Sequence, residues 1–146
     1  MVIKFQEVTI KTENNFQIID ITAEVEKFVR DTNITCGSIT ITTKHTTTAI
    51  RINENEELLF KDIKDYIGSL VPVETNHNHD MIEKRKNCSS DEPKNAHSHL
   101  KALMLGASET LPIFKGKLYL GTWQHILFIE LDGPRDRTYT MVLIGE

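Results

Sequence analysis

Two cysteines in 146 residues, Cys36 and Cys88, form no CxxC pair and are too few for a disulfide framework. They are read as reduced thiols, with Cys88, in a polar stretch, the more reactive. Lysines and arginines number 17 against 21 acids. A net charge of −4 leaves no basic surplus for a phosphate backbone, which argues against a nucleic-acid partner. No stretch approaches the ~18 apolar residues of a membrane span. Residues 1–8 alternate like a strand and lack a basic segment followed by an apolar one. The expectation is a cytoplasmic protein with no membrane partner. No repeat, low-complexity tract or Pro/Gly linker divides the chain, so residues 1–146 are read as one domain. A chain of this size buries about 68–70% of the surface its unfolded form exposes, enough to fold without disulfides or structural metal.

Patterning then places the elements. Residues 2–10 and 16–21, separated by the turn-like Glu13-Asn14-Asn15, read as a β-hairpin. Thr22 is placed to cap a helix whose Val25, Phe28 and Val29 share a face, ending near residues 31–33. Residues 38–52 are β-branched and alternating, with Ile39, Ile41 and His45 on one face. The pattern changes parity near Thr47-Thr48-Ala49, as a turn or bulge would produce. Leu59, Ile63, Tyr66, Ile67 and Leu70 recur at helical spacing until Val71-Pro72. Residues 72–95 have almost no apolar side chains, and so long a connection is uncommon unless functional or disordered. Asn95 is placed to cap a further helix, with Leu100, Leu103 and Met104 toward the core and an end near Gly106. The remainder is strand-rich. This order fits an α+β fold, a mostly antiparallel two-sheet β-sandwich with three flanking helices, better than a parallel α/β fold.

The chemical signal is histidine. His77-Asn78-His79-Asp80 and His97-Ser98-His99 flank the polar stretch, and His45 lies in the threonine-rich strand. Neutral imidazole is the commonest metal ligand and titrates near physiological pH. On a helix the rings of His97 and His99 diverge by about 200°, so one of the two is expected to face a site. Near a helix N-terminus such a ring stays neutral, and the free N–H groups there suit phosphate. Three histidines from separate segments plus water match a catalytic zinc-type arrangement; zinc, nickel, iron and copper all suit imidazole. Glu54, Asp80, Glu130 and Asp132 are carboxylates able to bind a divalent cation, orient an imidazole or move a proton. Arg135, in the turn Asp132-Gly133-Pro134-Arg135, has the planar fork that grips phosphate. Trp123 and Gln124 are candidates for a pocket edge, while Lys101 and Lys117 read as solvated.

Several segments together resemble the YjbQ family, whose members are often labelled secondary thiamine-phosphate synthases. They are His45-Thr46-Thr47-Thr48-Ala49 with Ile52-Asn53-Glu54-Asn55, Asn95-Ala96-His97-Ser98-His99-Leu100-Lys101-Ala102, the run from Gly116 to Gln124, and Asp132-Gly133-Pro134-Arg135. The resemblance covers nearly the whole chain in order. It implies a β-rich sandwich with flanking helices, assembled as a homotrimer, with a site at or near the subunit boundaries. It maps the recurring histidines onto His45, His77 and His99 as metal or acid–base residues, with His97 shared by a subset. Glu54, Trp123, Gln124, Asp132 and Arg135 also match. Thr75 stands where a tyrosine is usual and His79 where an acid is. The implied activity joins a pyrimidine diphosphate to a thiazole phosphate and releases pyrophosphate. A divalent metal, a transition metal or magnesium, would neutralise the leaving group, with Lys117 or Arg135 as cationic partners. Two alternatives use the same residues: a non-catalytic trimer that binds an anion or metal, and a metal-dependent hydrolase of small phosphorylated molecules.

Overall fold

A computed structural model describes residues 1–146. The strands are β1 (Val2–Lys11), β2 (Gln17–Asp20), β3 (Cys36–Thr43), β4 (Thr48–Asn53), β5 (Ser108–Phe114), β6 (Lys117–Leu118), β7 (His125–Glu130) and β8 (Asp136–Gly145). The helices are α1 (Thr22–Thr32), α2 (Glu57–Leu70) and α3 (Ala96–Leu105). All pairings are antiparallel, in a five-stranded sheet ordered β1-β8-β3-β5-β6 and a three-stranded sheet ordered β2-β7-β4. The expected α+β two-sheet architecture is the one that forms.

Alternation decides which side chains fill the layers. Ile39 and Ile41 of β3 meet Tyr139, Met141 and Leu143 of β8, Leu111 and Ile113 of β5, and Ile50, Ile126 and Phe128 of the smaller sheet. Val25 and Val29 bring α1 into the same core, as their helical spacing predicts. The opposite face of β7 is buried too: Leu127, Ile129 and Leu131 pack with Ala49, Ala102, Phe60 and Leu105 beneath α2 and α3. Covered on both faces, the interior of β7 reads as a continuous apolar run, Ile126-Leu-Phe-Ile129, between His125 and Glu130.

Several local expectations give way. The first two strands form no hairpin: β1 pairs with β8 and β2 with β7, because the 12–16 connection steps from one sheet to the other. Thr22 does not cap α1. Asp20 accepts from the Thr22 N–H at 2.9 Å, and the Thr22 hydroxyl instead accepts from Ile126 N–H at 2.8 Å, tying the helix to β7. Glu56, whose carboxylate accepts from the N–H groups of Leu58 and Leu59, caps α2. The face of α3 is also reversed: Ala96, His97, Ser98 and Ala102 are inward, whereas Leu100, Leu103 and Met104 are exposed. Small residues let the helix lie close on β4 and β7, and its long apolar side chains are turned out. The 72–95 connection contains two short 3₁₀ turns, Asn78–Asp80 and Ile82–Lys84.

Candidate functional site

The parity change in the threonine-rich segment is a sheet crossing. β3 belongs to the larger sheet and β4 to the smaller, and residues 44–47 carry the chain between them. His45 therefore leaves the strand and does not share the face of Ile39 and Ile41. The same end of the sandwich holds the start of α3, the 72–95 connection and the turn from β7 to β8. Backbone bonds close the corner: Leu131 N–H donates to Thr47 O at 3.1 Å, and Lys44 N–H to Thr138 O at 3.2 Å.

A buried ion pair holds this corner in shape. Glu130 is fully buried and Arg137 nearly so. Arg137 grips the Glu130 carboxylate bidentately, Nη2 at 2.6 Å and Nε at 2.7 Å, and its Nη2 also donates to the Thr47 hydroxyl at 2.9 Å. The carboxylate accepts further from the Thr12 hydroxyl and from the N–H groups of Leu131 and Asp132, all within 2.9 Å. Burial opposes ionisation of Glu130, but its bonds from Arg137, Asp132 N–H and Thr12 outweigh that, and its carboxyl titrates below the usual carboxylate value. Gly133 is required by the same packing. A Cβ there would lie 2.3 Å from Asn14 O and 2.8 Å from Glu130 Cγ.

Around this frame sit the expected residues. His45 Nε2 accepts from Thr138 N–H at 2.8 Å, which fixes the proton of the neutral ring on Nδ1. Burial, with the charges of Arg137 and Lys44, holds His45 below the ordinary histidine value. Ser98 gives its one hydroxyl hydrogen to Leu131 O, so at 3.0 Å from His97 Nδ1 its oxygen accepts from that nitrogen. His97 is buried against Ser98, while His99 is half-buried and lines both cavities, so one ring of the pair is turned to them. Burial, His79 and Arg85 all lower the pKa of His99. The ring of His79 stands edge-on to it, with centroids 4.8 Å apart.

Two cavities meet at His99. One of about 570 Å³ has His45 and His99 in its wall with Lys44, Leu100 and Leu103. The other, about 300 Å³, has no hydrophobic lining; Thr46, Thr47, His79, Arg85, Asn95, Asp132, Arg135 and Arg137 contribute to it. Asp132 Oδ2 accepts from Arg135 Nη2 and from Asn95 Nδ2, both at 2.8 Å. Asn95 is thus committed to Asp132 and does not cap α3 with its side chain. The cap comes from Asp80, whose Oδ1 accepts from Ala96 N–H at 3.0 Å.

Other candidates lie apart. His77 lines a different depression with Glu74, Asp80 and Glu83. Glu54 follows β4, Trp123 and Gln124 precede β7, and β4 pairs with β7 from Thr48–Glu130 to Asn53–His125. These three are therefore at the opposite end of the smaller sheet, about 20 Å from the histidines at ~3.4 Å per residue. Trp123 is 71% exposed there. Lys117 lies beside Glu26 and Arg30. No three histidine, cysteine or carboxylate side chains gather as metal ligands, and the His45 nitrogen that accepts is already engaged. The donor set of one chain does not fit a histidine-held metal.

Sequence reading missed Arg137 and Arg85, which carry no motif signal. It also missed the pair His125 Nδ1–Asp20 Oδ2, 2.6 Å apart at the Trp123 end. Alternation along β8 puts Arg137 in phase with Tyr139, Met141 and Leu143, and an arginine on an inward face was the available clue.

A family model described as UPF0047 protein YjbQ-like matches residues 6–146. A UPF0047 protein of Archaeoglobus fulgidus is 44% identical over 131 residues, covering 90% of this chain and 94% of that protein. One of Methanothermobacter thermautotrophicus is 38% identical over 141 residues, covering 97% and 92%. The crystal structure of a YbjQ-like protein of unknown function from Sulfolobus solfataricus is similar over 99% of both chains, at 36% identity and a TM-score of 0.90.

Proposed function

The chain belongs to the YjbQ-like UPF0047 family, and we propose that it is an enzyme acting on a small phosphorylated molecule, in the manner of a secondary thiamine-phosphate synthase. The supporting observation is the polar cavity in which Arg135 and Arg137, each held by a carboxylate, stand beside a His99 whose pKa is lowered. Guanidinium groups fixed in advance stabilise the negative charge that gathers on a departing pyrophosphate. A neutral imidazole beside them accepts a proton at neutral pH. Asp132 orients Arg135 through two contacts, its carboxylate on Nη2 and its carbonyl on Nε, both 2.8 Å.

The homotrimer belongs to the same proposal. Leu103 is 81% exposed, and with Met104, Tyr66 and Leu70 it leaves an apolar surface along α2 and α3 that a further copy would cover. Sedimentation of wild type and Leu103→Glu tests it: a trimer for the first and smaller species for the second are expected.

The test of activity is to incubate the purified protein with the pyrimidine diphosphate and the thiazole phosphate, with magnesium, zinc or EDTA, and follow thiamine phosphate and pyrophosphate. His99→Asn is expected to lower turnover by about 10²–10⁴-fold, the usual contribution of a positioned acid–base group. Turnover unaffected in a His99→Asn, Arg135→Gln double variant refutes the site. Release of inorganic phosphate without condensation would make the protein a hydrolase.

A further inference from the structure

Three arginines reach the polar cavity, and two are neutralised: Arg135 by Asp132 and Arg137 by Glu130. Arg85 is the third. It makes no ion pair, and its Nη1 is shut off from solvent without any hydrogen-bond partner. Glu92, exposed at the rim of the same cavity, is not bonded to it. A guanidinium nitrogen removed from water and left unpaired is costly, and proteins keep such a group where a ligand completes it.

The position of Arg85 is fixed, although its segment has little regular structure. Asp80 of that segment caps α3 through Ala96 N–H, and His79 packs on His99. The Ile82–Lys84 turn closes with Arg85 N–H donating to Ile82 O at 3.1 Å. These contacts carry the polar connection across the start of α3 and deliver one guanidinium to the cavity. Arg85 and His99 both line this cavity.

We propose that Arg85 is the anchor for an oxyanion, the phosphate or diphosphate of the ligand, bound between the 72–95 segment and the His99–Arg135 wall. This rests on the reading of the cleft given above and adds the residue that selects a phosphorylated ligand. The planar fork of Arg85 offers paired donors to phosphate oxygens, and none is spent on an internal carboxylate.

Calorimetric titration with inorganic pyrophosphate, inorganic phosphate and acetate tests it on wild type, Arg85→Met, Arg85→Lys and Arg135→Gln. Arg85→Met is expected to weaken pyrophosphate binding at least tenfold, and Arg85→Lys to recover part of that loss. Without added anion, Arg85→Met should melt no lower than wild type, because the charge it removes has no partner. A lower melting temperature accompanying the lost affinity would make Arg85 a structural residue and overturn the assignment. Equal binding by wild type and Arg85→Met, with loss in Arg135→Gln, overturns the anchor and leaves the cleft reading standing. No binding of any phosphate by wild type overturns both. Acetate binding as tightly as phosphate overturns the ligand class.

Discussion

Arg137→Met isolates the contact on which the whole corner depends. The substitution keeps much of the aliphatic bulk and removes both bonds to Glu130, the bond to Thr47 and the only charge opposite a fully buried carboxylate. Removing one partner of a buried pair costs about 3–5 kcal/mol, because the other charge stays buried and uncompensated. In a chain of this length each kcal/mol corresponds to about 4 °C in Tm. Urea and thermal unfolding should therefore show Arg137→Met lower by about 12–20 °C on that conversion. Glu130→Gln should fall in the same range, since it strands the arginine. The double variant should lose no more than the worse single one, because the contact is already gone. Acid should mimic the substitution. The folded Glu130 pKa is depressed, so its contribution is full above the ordinary value of 4.5 and is lost as pH falls through the lowered one. A loss below about 1 kcal/mol for Arg137→Met, or additive losses in the double variant, would refute this account of the corner.

Tyr139 is completely buried, its hydroxyl has no hydrogen-bond partner, and burial raises its pKa. Tyr139→Phe should accordingly stabilise by about 1 kcal/mol, and a lower Tm for the variant would contradict it. Asp80→Ala removes the α3 cap and should cost about 0.5–2 kcal/mol. It should also speed proteolysis within residues 72–95; unchanged cleavage would show that Asp80 does not hold the segment. His45, His97 and His99 all titrate below their ordinary value of 6.5, burial being the leading cause for each. A depressed histidine binds fewer protons folded than unfolded, so stability should decline as pH falls from about 6.5 through the folded values. Thermal melts between pH 7.5 and 5 check this: His97→Asn should flatten the slope, and an unchanged slope would contradict the assignment.

The elements with strong periodicity were readable from the residues alone. α1 and α2 end where Asn33 and Val71 close them, and the parity change at residues 47–49 marks a real break. Pairing was not readable, since alternation tells which face is inward but not which strand lies alongside. That is why residues 2–10 and 16–21 suggested a hairpin while belonging to different sheets. Caps misled for a related reason: Thr22 and Asn95 have suitable side chains, but tertiary partners, Ile126 N–H and Asp132, claim them. For α3 the large apolar residues suggested the wrong face, because close packing on β4 favours small ones.

The site divides for a topological reason. β4 and β7 are antiparallel neighbours, so the residues leading into β4 meet those leaving β7, and the residues leaving β4 meet those leading into β7. His45 therefore lies with Asp132 and Arg135, while Glu54 lies with Trp123 and Gln124, and no movement within one sheet unites the two groups. If all of them serve one reaction, as the proposed trimer allows, one protomer supplies the histidine end and its neighbour the glutamate end. Two inactive variants, His99→Asn and Glu54→Gln, should then complement when co-expressed and co-purified as mixed trimers. Random mixing in a cyclic trimer leaves about a quarter of the boundaries with both residues intact, so activity should return to about that fraction of wild type. Mixed trimers no more active than the separate variants would refute a site shared across the boundary, and a Glu54→Gln variant with wild-type turnover would confine the reaction to the histidine end of a single chain.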